Sequence, residues 1–337
     1  MPLNDAAPPL AEYWRAAASP VPIVVVGGGR WGRTWASVIA KARNTAAGLI
    51  IAARTDAASV RHWLDEQHGL GDAILVTSLA EALKASPRPV AAIIASRPRD
   101  HVRDGLEALE HGLHVLIEKP ISPQAGASQP LLAAARDTGQ VLAVGTEFAF
   151  LPAFHAAAAA LASQDRGAVR LALHWDDPIR ELRHGGLKTH HEETSVLADL
   201  LAHAVSIFRI FASGSAFHIT QASLAADGNS GHLAMRDDSG GRYDLHCDRA
   251  SSGRRRVLEI ARGSARASID FAEHPLSVTI DGQSREIGAD LAALSSTLRL
   301  ELGAFLMEVA GAASSTPISA GLADHVRLQA ELEQALA

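Results

Sequence analysis

The strongest constraint on the fold is an alternation that fills the first 150 residues. Segments with helical spacing, such as RTWASVIAKAR and HVRDGLEALEHG, separate short apolar runs. The runs are Ile23 to Val26, Leu49 to Ala53, Ala73 to Val76, Val90 to Ala95, His114 to Ile117 and Val141 to Val144. Such alternation is typical of parallel strands joined by crossover helices. The sequence therefore predicts an α/β domain with a doubly wound parallel sheet.

The pattern changes after Phe150 to alternation of polar and apolar residues, as in AVRLALHW, GRYDLHC, RRVLEIARG and LSVTIDG. This predicts a C-terminal α+β domain with an open, mainly antiparallel sheet that is covered on one face. The helical segments PAFHAAAAALASQ, TSVLADLLAHAVSIFRIF and DLAALSSTLRLELGAFLMEVAGA are expected to cover that face, and SAGLADHVRLQAELEQAL closes the chain. The predicted boundaries are a lead-in at 1–20, a first domain at 21–148 and a second domain at 149–337.

Charge and cysteine content narrow the setting. The chain has 31 Lys and Arg against 37 Asp and Glu, for a net charge of -6, and the basic residues form no block. This argues against nucleic acid or a membrane surface as a partner. The single cysteine, Cys247, cannot form an internal disulfide, which fits a reducing compartment. The N-terminal stretch lacks an apolar signal core, so we predict a cytoplasmic protein.

The first chemical motif is VPIVVVGGGRWGRTW, which places Gly27, Gly29 and Gly32 in G-x-G-x-x-G spacing between a strand and a helix. Glycine there permits a tight turn and a close approach of the backbone to a pyrophosphate, and the helix N-terminus supplies unpaired N–H groups. The motif predicts a dinucleotide-binding Rossmann domain in which these glycines, together with Arg30 and Trp31 between the second and the third, contact the cofactor. The alternative is a glycine-rich turn without a ligand.

The choice of cofactor should show at the end of the second strand, in LIIAARTDAA. Arg54 stands 22 residues after Gly32, where a domain that binds NAD places a carboxylate. A guanidinium beside Thr55 suits the 2′-phosphate of NADP. Asp56 could bind a ribose if the strand ended later. We therefore predict NADP(H) as the preferred cofactor, with NAD(H) as the alternative.

A lysine in HVLIEKPIS is the second chemical signal. Among the 31 basic residues, lysine occurs only at Lys41, Lys84, Lys119 and Lys188. Lysine offers a compact ammonium whose pKa shifts readily on burial, which arginine does not. An apolar run precedes Lys119 and a proline follows it, so the strand end would deliver the ammonium into a cleft. The alternative is a lysine that extends toward solvent at a strand end.

The segment ASRPRDHVRDGLEALEHGLHVLIEKPIS resembles the Gfo/Idh/MocA oxidoreductases, which include glucose-fructose oxidoreductase and inositol dehydrogenase. In that family a histidine opens a helix and E-K-P ends the fifth strand. With the glycine motif and the domain order, the resemblance covers nearly the whole chain. The family's D-x-x-x-H pair is matched by Asp199 and His203 in VLADLLAHAVSIF. Residues i and i+4 share a helix face, although a surface hydrogen bond would give the same spacing.

The resemblance implies an NAD(P)-dependent dehydrogenase or reductase with a small-molecule substrate. Lys119 would stabilise negative charge on the reacting oxygen, aimed by a cis peptide bond to Pro120. His203 would donate or accept the proton, and Asp199 would orient the substrate or the lysine. The expected residues of the cofactor cleft are Ser96, Arg97, His101, Glu118 and Lys119.

Two departures from the family leave the substrate open. HEETSVLAD replaces a glycine-rich loop before the aspartate, and in EFAFLP Ala149 stands where the family has an arginine. A sugar, a cyclitol or a related metabolite is expected. The alternatives are a biosynthetic reductase of an imine or another non-sugar substrate, and a regulator that senses the dinucleotide without catalysis.

Further candidates lie in DDPIRELRHGGLKTHHEE and in the predicted sheet. The expected substrate contacts are Arg180, Arg183, His184, Lys188 and His190. His190 and His191 are adjacent and do not converge easily on an ion, so no metal site is predicted. The strands LALHW and HITQASL carry apolar residues in both alternating sets, which predicts sheet-mediated association into a homodimer or homotetramer.

Overall fold

A computed structural model describes residues 8–124, 126–164, 167–180, 182–183, 186–187, 194–212, 216–272, 276–287, 294–312, 318–319 and 321–337. These residues form two compact units. The Rossmann unit comprises Pro8–Glu147 and Ser295–Ala323, and the sheet unit comprises Phe148–Leu294 and Asp324–Ala337. Two separate segments of the chain therefore form the Rossmann unit.

The Rossmann unit contains a six-stranded sheet in the order β3-β2-β1-β4-β5-β6, with every neighbouring pair parallel. The strands are β1 Ile23–Val26, β2 Leu49–Ala52, β3 Ile74–Val76, β4 Ala91–Ile94, β5 His114–Ile117 and β6 Leu142–Val144. Strands β1, β2 and β4 are buried along their whole length, as expected where helices cover both faces. The strand order reverses between β1 and β4, the position at which such sheets bind ligands. The predicted doubly wound sheet is confirmed.

Crossover helices connect these strands. They are α2 Arg30–Arg43, α3 Ala57–Glu66, α4 Leu79–Ala82, α5 His101–Glu110 and α6 Gln129–Thr138, and α1 Pro8–Ala16 precedes β1. Left-handed residues end two of them, Asn44 after α2 and Gly139 after α6, and so satisfy the last carbonyl groups. Among the described residues, no helix has both the length and the apolar character needed to cross a membrane.

The sheet unit contains an eight-stranded sheet in the order β10-β11-β12-β7-β13-β14-β15-β16. The strands are β7 Val169–Pro178, β10 Phe217–Leu224, β11 Ser230–Asp237, β12 Arg242–Ser251, β13 Arg255–Arg262, β14 Ala265–Asp270, β15 Leu276–Ile280 and β16 Gln283–Ile287. A separate hairpin joins β8 Leu182–Arg183 to β9 Gly186–Leu187. Strand β7 pairs parallel with β12, and the other neighbours are antiparallel. The predicted open, mainly antiparallel sheet is confirmed.

Three helices pack on one face of this sheet: α7 Pro152–Gln164, α8 Val196–Phe211 and α10 Leu322–Leu336. Alternate residues of the strands face them, so Leu173 and Leu245 lie in one buried cluster with Phe208 of α8. Each fully buried side chain of this size stabilises the fold by about 1.5–3 kcal/mol. The covered face is therefore the hydrophobic core of the unit.

Helix α9 Leu294–Val309 was predicted to cover the second sheet, and this is corrected by the structure, which groups Ser295–Ala323 with the Rossmann unit. A Cβ on Gly303 would lie 1.8 Å from the carbonyl oxygen of Tyr13. Helix α9 therefore packs directly on the backbone of α1. Helix α1, predicted as part of a lead-in, also belongs to this unit, and Tyr13 is fully buried. Apolar spacing identifies a buried helix face but does not indicate which sheet that face covers.

Candidate functional site

The glycine turn after β1 requires glycine at two of its three motif positions. Gly27 has φ +125°, and a Cβ there would lie 2.5 Å from the carbonyl oxygen of Ala95. A Cβ on Gly32 would lie 1.9 Å from the carbonyl oxygen of Gly27, so helix α2 could not approach the turn. A Cβ on Gly29 would meet no described atom within 4 Å, and Gly29 is exposed. Its backbone is therefore open to a ligand.

Helix α2 begins at this turn with an electropositive N-terminus. Its N-cap residue, Gly29, supplies no side-chain cap, and the first turn of α2 contains no acidic residue. Arg33, which the motif did not single out, donates from Nε to the carbonyl oxygen of Gly28 at 3.1 Å and from a terminal nitrogen to Ser59 Oγ at 2.8 Å. Exposed N–H groups on a braced turn fit the diphosphate of a dinucleotide. Arg30 is exposed beside this turn and its guanidinium lies 5.7 Å from the ring of Trp31.

The predicted catalytic lysine lies on the same edge of the sheet as this turn. Val26 pairs with Ile94 and Ile94 pairs with Ile117, so β1, β4 and β5 end side by side. Lys119 lies two residues beyond the end of β5, and its side chain is half-buried. Neighbouring strands lie about 4.8 Å apart, so the ends of β1 and β5, with β4 between them, lie about 10 Å apart. That distance suits a group that acts at the far end of a dinucleotide bound by the turn.

Arg54, the residue predicted to select the cofactor, forms an ion pair that the sequence did not indicate. One terminal nitrogen lies 2.8 Å from Oδ2 of Asp104, whose side chain is only 2% exposed, whereas the side chain of Arg54 is 41% exposed. Ser96 donates to the same oxygen at 2.6 Å. Asp104 therefore anchors Arg54 at the end of β2 with part of the guanidinium still facing solvent. Thr55, the next residue after Arg54, is exposed, and so is Arg97, which follows Ser96.

His101 joins the ends of β4 and β5. Its ring is buried, with Nδ1 lying 2.8 Å from the carbonyl oxygen of Pro120 and Nε2 lying 3.1 Å from that of Ser96. The Lys119–Pro120 peptide bond is cis, as predicted. His101 therefore fixes the backbone on which Lys119 is carried.

Glu118, the residue before Lys119, forms a buried carboxyl cluster with Glu147 and Glu301. Trp35 donates from its indole nitrogen to Glu118 at 2.6 Å, and Glu301 accepts from the backbone N–H of Thr146 at 2.5 Å. Burial raises the pKa of Glu118 to about 7, with a further contribution from the charge of Glu147. Burial and the same neighbour raise the pKa of Glu301 well above its ordinary value. Glu118 therefore directs its carboxyl group into the interior of the unit.

In the sheet unit, helix α8 carries the predicted pair Asp199 and His203. Ser195 caps the helix by accepting from the N–H of Ala198, and Asp199 follows in the first turn, where a carboxylate interacts favourably with the helix dipole. His203 is only 2% exposed. Its ring stacks on Trp175 at 5.6 Å with an interplanar angle of 2°, and it meets Phe148 edge-on at 5.0 Å. The imidazole orientation is therefore fixed by two aromatic rings.

Arg256 completes this aromatic arrangement and was missed by the sequence interpretation. Its guanidinium lies 4.4 Å from the ring of Trp175 and 5.6 Å from that of Phe148, and one nitrogen donates to both oxygens of Asp177 at 2.9 and 3.0 Å. The pairing of β13 with β7 puts Arg256 opposite Trp175, and no local sequence pattern indicates that pairing. A guanidinium therefore lies beside the segment in which Ala149 replaces the family arginine.

The remaining substrate candidates are only partly described. Arg180 is exposed after β7. Arg183 lies on the β8–β9 hairpin opposite Gly186. His184, Lys188 and His190 lie outside the described residues.

The uncovered face of the sheet is more polar than the sequence indicated. Ile219, Ala222 and Leu224, which led to the prediction of association, pack against the core instead. The open face carries His174 and His246, which stack at 5.0 Å. The homodimer or homotetramer stays a prediction, and its apolar rationale is not supported by these strands.

The glycine turn, the parallel strand order and the open N-terminus of α2 define the Rossmann unit as a dinucleotide-binding domain. Residues 21–146 match the Gfo/Idh/MocA family, described as an oxidoreductase family with an NAD-binding Rossmann fold. This match confirms the predicted family resemblance for the Rossmann domain, and it supports the predicted class of NAD(P)-dependent oxidoreductases. A search of curated proteins finds no match.

Solved structures share the fold over nearly the whole chain. A UDP-N-acetylglucosamine 3-dehydrogenase from Acidithiobacillus ferrooxidans is 19% identical, with a TM-score of 0.71 over 93% of this chain and 97% of the other. A 3-ketoreductase from Actinomadura kijaniata, in complex with NADP and TDP-benzene, is 18% identical, with a TM-score of 0.70 over 94% and 97%. A myo-inositol dehydrogenase from Corynebacterium glutamicum is 18% identical, with a TM-score of 0.70 over 94% and 96%. At these identities the likeness concerns the fold.

Proposed function

We propose that the protein transfers a hydride between NADP(H) and a carbinol or ketone carbon of a sugar, a cyclitol or a related polyhydroxylated metabolite. The observation that carries this proposal is Lys119 at the end of β5, on the same sheet edge as the open glycine turn. The solved structures of similar fold support the substrate class, since they include a nucleotide-sugar dehydrogenase, a ketoreductase and an inositol dehydrogenase.

Each chemical step has a candidate residue. The nicotinamide, when bound, supplies the hydride that reduces a carbonyl carbon. The N–H groups at the start of α2 hold the diphosphate, and the ammonium of Lys119 donates to the substrate oxygen as negative charge develops there. His203 gives that oxygen its proton, and in the oxidation direction takes it back. Asp199, on the same face of α8, orients the substrate hydroxyl groups.

The preference for NADP(H) rests on Arg54. Asp104 holds one nitrogen of its guanidinium at 2.8 Å, which reduces the freedom of the side chain before any ligand binds. The exposed remainder of the guanidinium can donate to a 2′-phosphate. Asp56, the alternative ribose ligand, is exposed as the N-cap residue of α3 and has a left-handed backbone with φ 62°. The ribose of NAD(H) would bind Asp56 instead. Substitutions of Arg54 and of Asp56 therefore distinguish the two cofactors.

The experiment compares Lys119→Arg with the wild-type protein. Calorimetry with NADPH present first screens ketosugars and inosose-type ketones for a substrate. The larger, planar guanidinium cannot place a donor where the ammonium lies, so turnover should fall about 100-fold or more while NADPH affinity is kept. Lys41→Arg, an exposed change on α2, is the matched control and should leave turnover unchanged.

Two results would contradict the proposal. A Lys119→Arg enzyme with a near-normal rate would make Lys119 an ordinary charged strand end. A protein that binds NADPH tightly but reduces no compound of the screen would favour the role of a dinucleotide-sensing regulator.

A further inference from the structure

Three histidines form a row across neighbouring strands on the uncovered face of the eight-stranded sheet. His232 of β11 pairs with His246 of β12, and His246 pairs with His174 of β7. Their rings stack, with centroids 4.5 Å apart between His232 and His246 and 5.0 Å apart between His246 and His174. Asp244 precedes His246 by two residues, and a strand repeats its faces every two residues, so Asp244 lies on the same face.

The donor atoms of three of these side chains converge. His232 Nε2 lies 2.9 Å from Asp244 Oδ1, and one donor atom from each of His232, Asp244 and His246 lies within 4.8 Å of the other two. The side chains of His232 and Asp244 are 27% and 40% exposed, so an ion can reach them from solvent and keep a water ligand. Cys247 points to the opposite, buried face, where its thiol contacts the carbonyl oxygen of Gly231.

We propose that His232, Asp244 and His246 form a binding site for a divalent transition-metal ion, with zinc as the best match. Two imidazoles and a carboxylate are the donor set of many zinc sites, which accept a water or a further side chain in the fourth position. Donor atoms on one tetrahedral zinc lie about 3.4 Å apart, so closing the site requires side-chain rotations that move these atoms by about 1 Å. The ring of His174 stacks on that of His246 at 5.0 Å beside the site, and a water can take the fourth position.

The electrostatic surroundings suit a cation. Burial and the neighbouring His232 and His174 lower the pKa of His246, which is the direction that favours the neutral imidazole a metal ligand requires. Asp244 contributes a negative charge. Arg255, a cation that also lines this depression, lies opposite Asp176 in the register of β13 with β7, and the two charges attract each other. A bound ion would join β11 to β12 and so stabilise this part of the sheet.

The experiment uses the full chain with any histidine tag removed, treated with EDTA and exchanged into metal-free buffer. Isothermal titration with zinc chloride should give about one ion per chain, and zinc should raise the melting temperature. Asp244→Asn and His246→Ala should each weaken zinc binding about 10-fold or more and remove the thermal shift. His62→Ala removes an exposed histidine that pairs with one carboxylate, Glu66, and should bind zinc as the wild type does.

Asp244→Asn and His246→Ala are both tested, so that a loss of zinc binding can be distinguished from a disturbed sheet. Circular dichroism first verifies that both fold, and Asp244→Asn, the more conservative change, carries the test if His246→Ala does not. The proposal is overturned if zinc produces neither binding heat nor a thermal shift. It is also overturned if both variants bind zinc as tightly as the wild type, or if magnesium binds as tightly as zinc.

Discussion

Replacing Glu118 by Gln should change how the stability of the protein depends on pH. Burial raises the pKa of Glu118 from 4.5 to about 7, and Trp35 holds the carboxyl group at 2.6 Å. In the unfolded chain the group ionises near its ordinary pKa. Between these two values the folded protein binds a proton that the unfolded chain has lost, so the free energy of unfolding falls as the pH rises.

The size of the effect follows from the difference between the two pKa values. Each pKa unit corresponds to about 1.4 kcal/mol, so stability that is fully present below about pH 4.5 decreases by about 3 kcal/mol as the pH passes through about 7. A glutamine keeps an oxygen for the indole N–H of Trp35 but does not ionise. Glu118→Gln should therefore gain about 2 kcal/mol or more over the wild type between about pH 5 and about pH 8.

Urea unfolding followed by circular dichroism, repeated at several pH values for both proteins, measures this difference. Glu110→Gln, which removes an exposed glutamate at the end of α5, is the matched control and should leave the pH dependence as it is. If the wild type and Glu118→Gln show the same pH dependence, Glu118 is ionised in the folded protein and burial does not raise its pKa.

Three shorter predictions concern other residues. Arg54→Gln should weaken NADPH binding about 10-fold while NADH binding changes little, and equal losses for both in a fluorescence titration would contradict a contact with the 2′-phosphate. His203→Ala should keep NADPH affinity but lose about 100-fold in turnover, and a near-normal rate in steady-state kinetics would contradict its role as proton donor. Cys247, whose pKa burial raises to about 12, should react with a thiol reagent only after urea is added, and rapid labelling of the folded protein would refute its burial.

The six parallel strands of the Rossmann unit could be predicted from the sequence to within about one residue at each end, because their signals are local. Strands β1 and β5 have the predicted bounds, since a parallel strand buried on both faces is a continuous apolar run that ends where glycine or a polar residue begins. The positions of Gly27 and Gly32 in the turn could also be predicted, because their close backbone contacts exclude any side chain. Helix α7 matches its prediction for a related reason, since a proline begins it and an alanine run follows.

The parts that could not be predicted depend on which distant segments meet. Nothing near Arg54 in the sequence indicates that Asp104 will pair with it, and nothing near Trp175 indicates that Arg256 will lie over its ring. The histidine row likewise depends on the register in which β7, β11 and β12 pair. Local periodicity assigns a residue to a face of a strand, whereas its neighbours on that face are set by long-range pairing.

The return of α9 to the Rossmann unit has a consequence for synthesis of the chain on the ribosome. When the last strand of the parallel sheet has emerged, the helix that packs on Tyr13 and gives Thr146 its carboxylate acceptor has not yet been made. The whole sheet unit up to Leu294 is translated first. The nascent Rossmann unit therefore keeps apolar surface exposed until α9 leaves the exit tunnel. A chain that ended near residue 148 would be an aggregation-prone fragment rather than a folded domain.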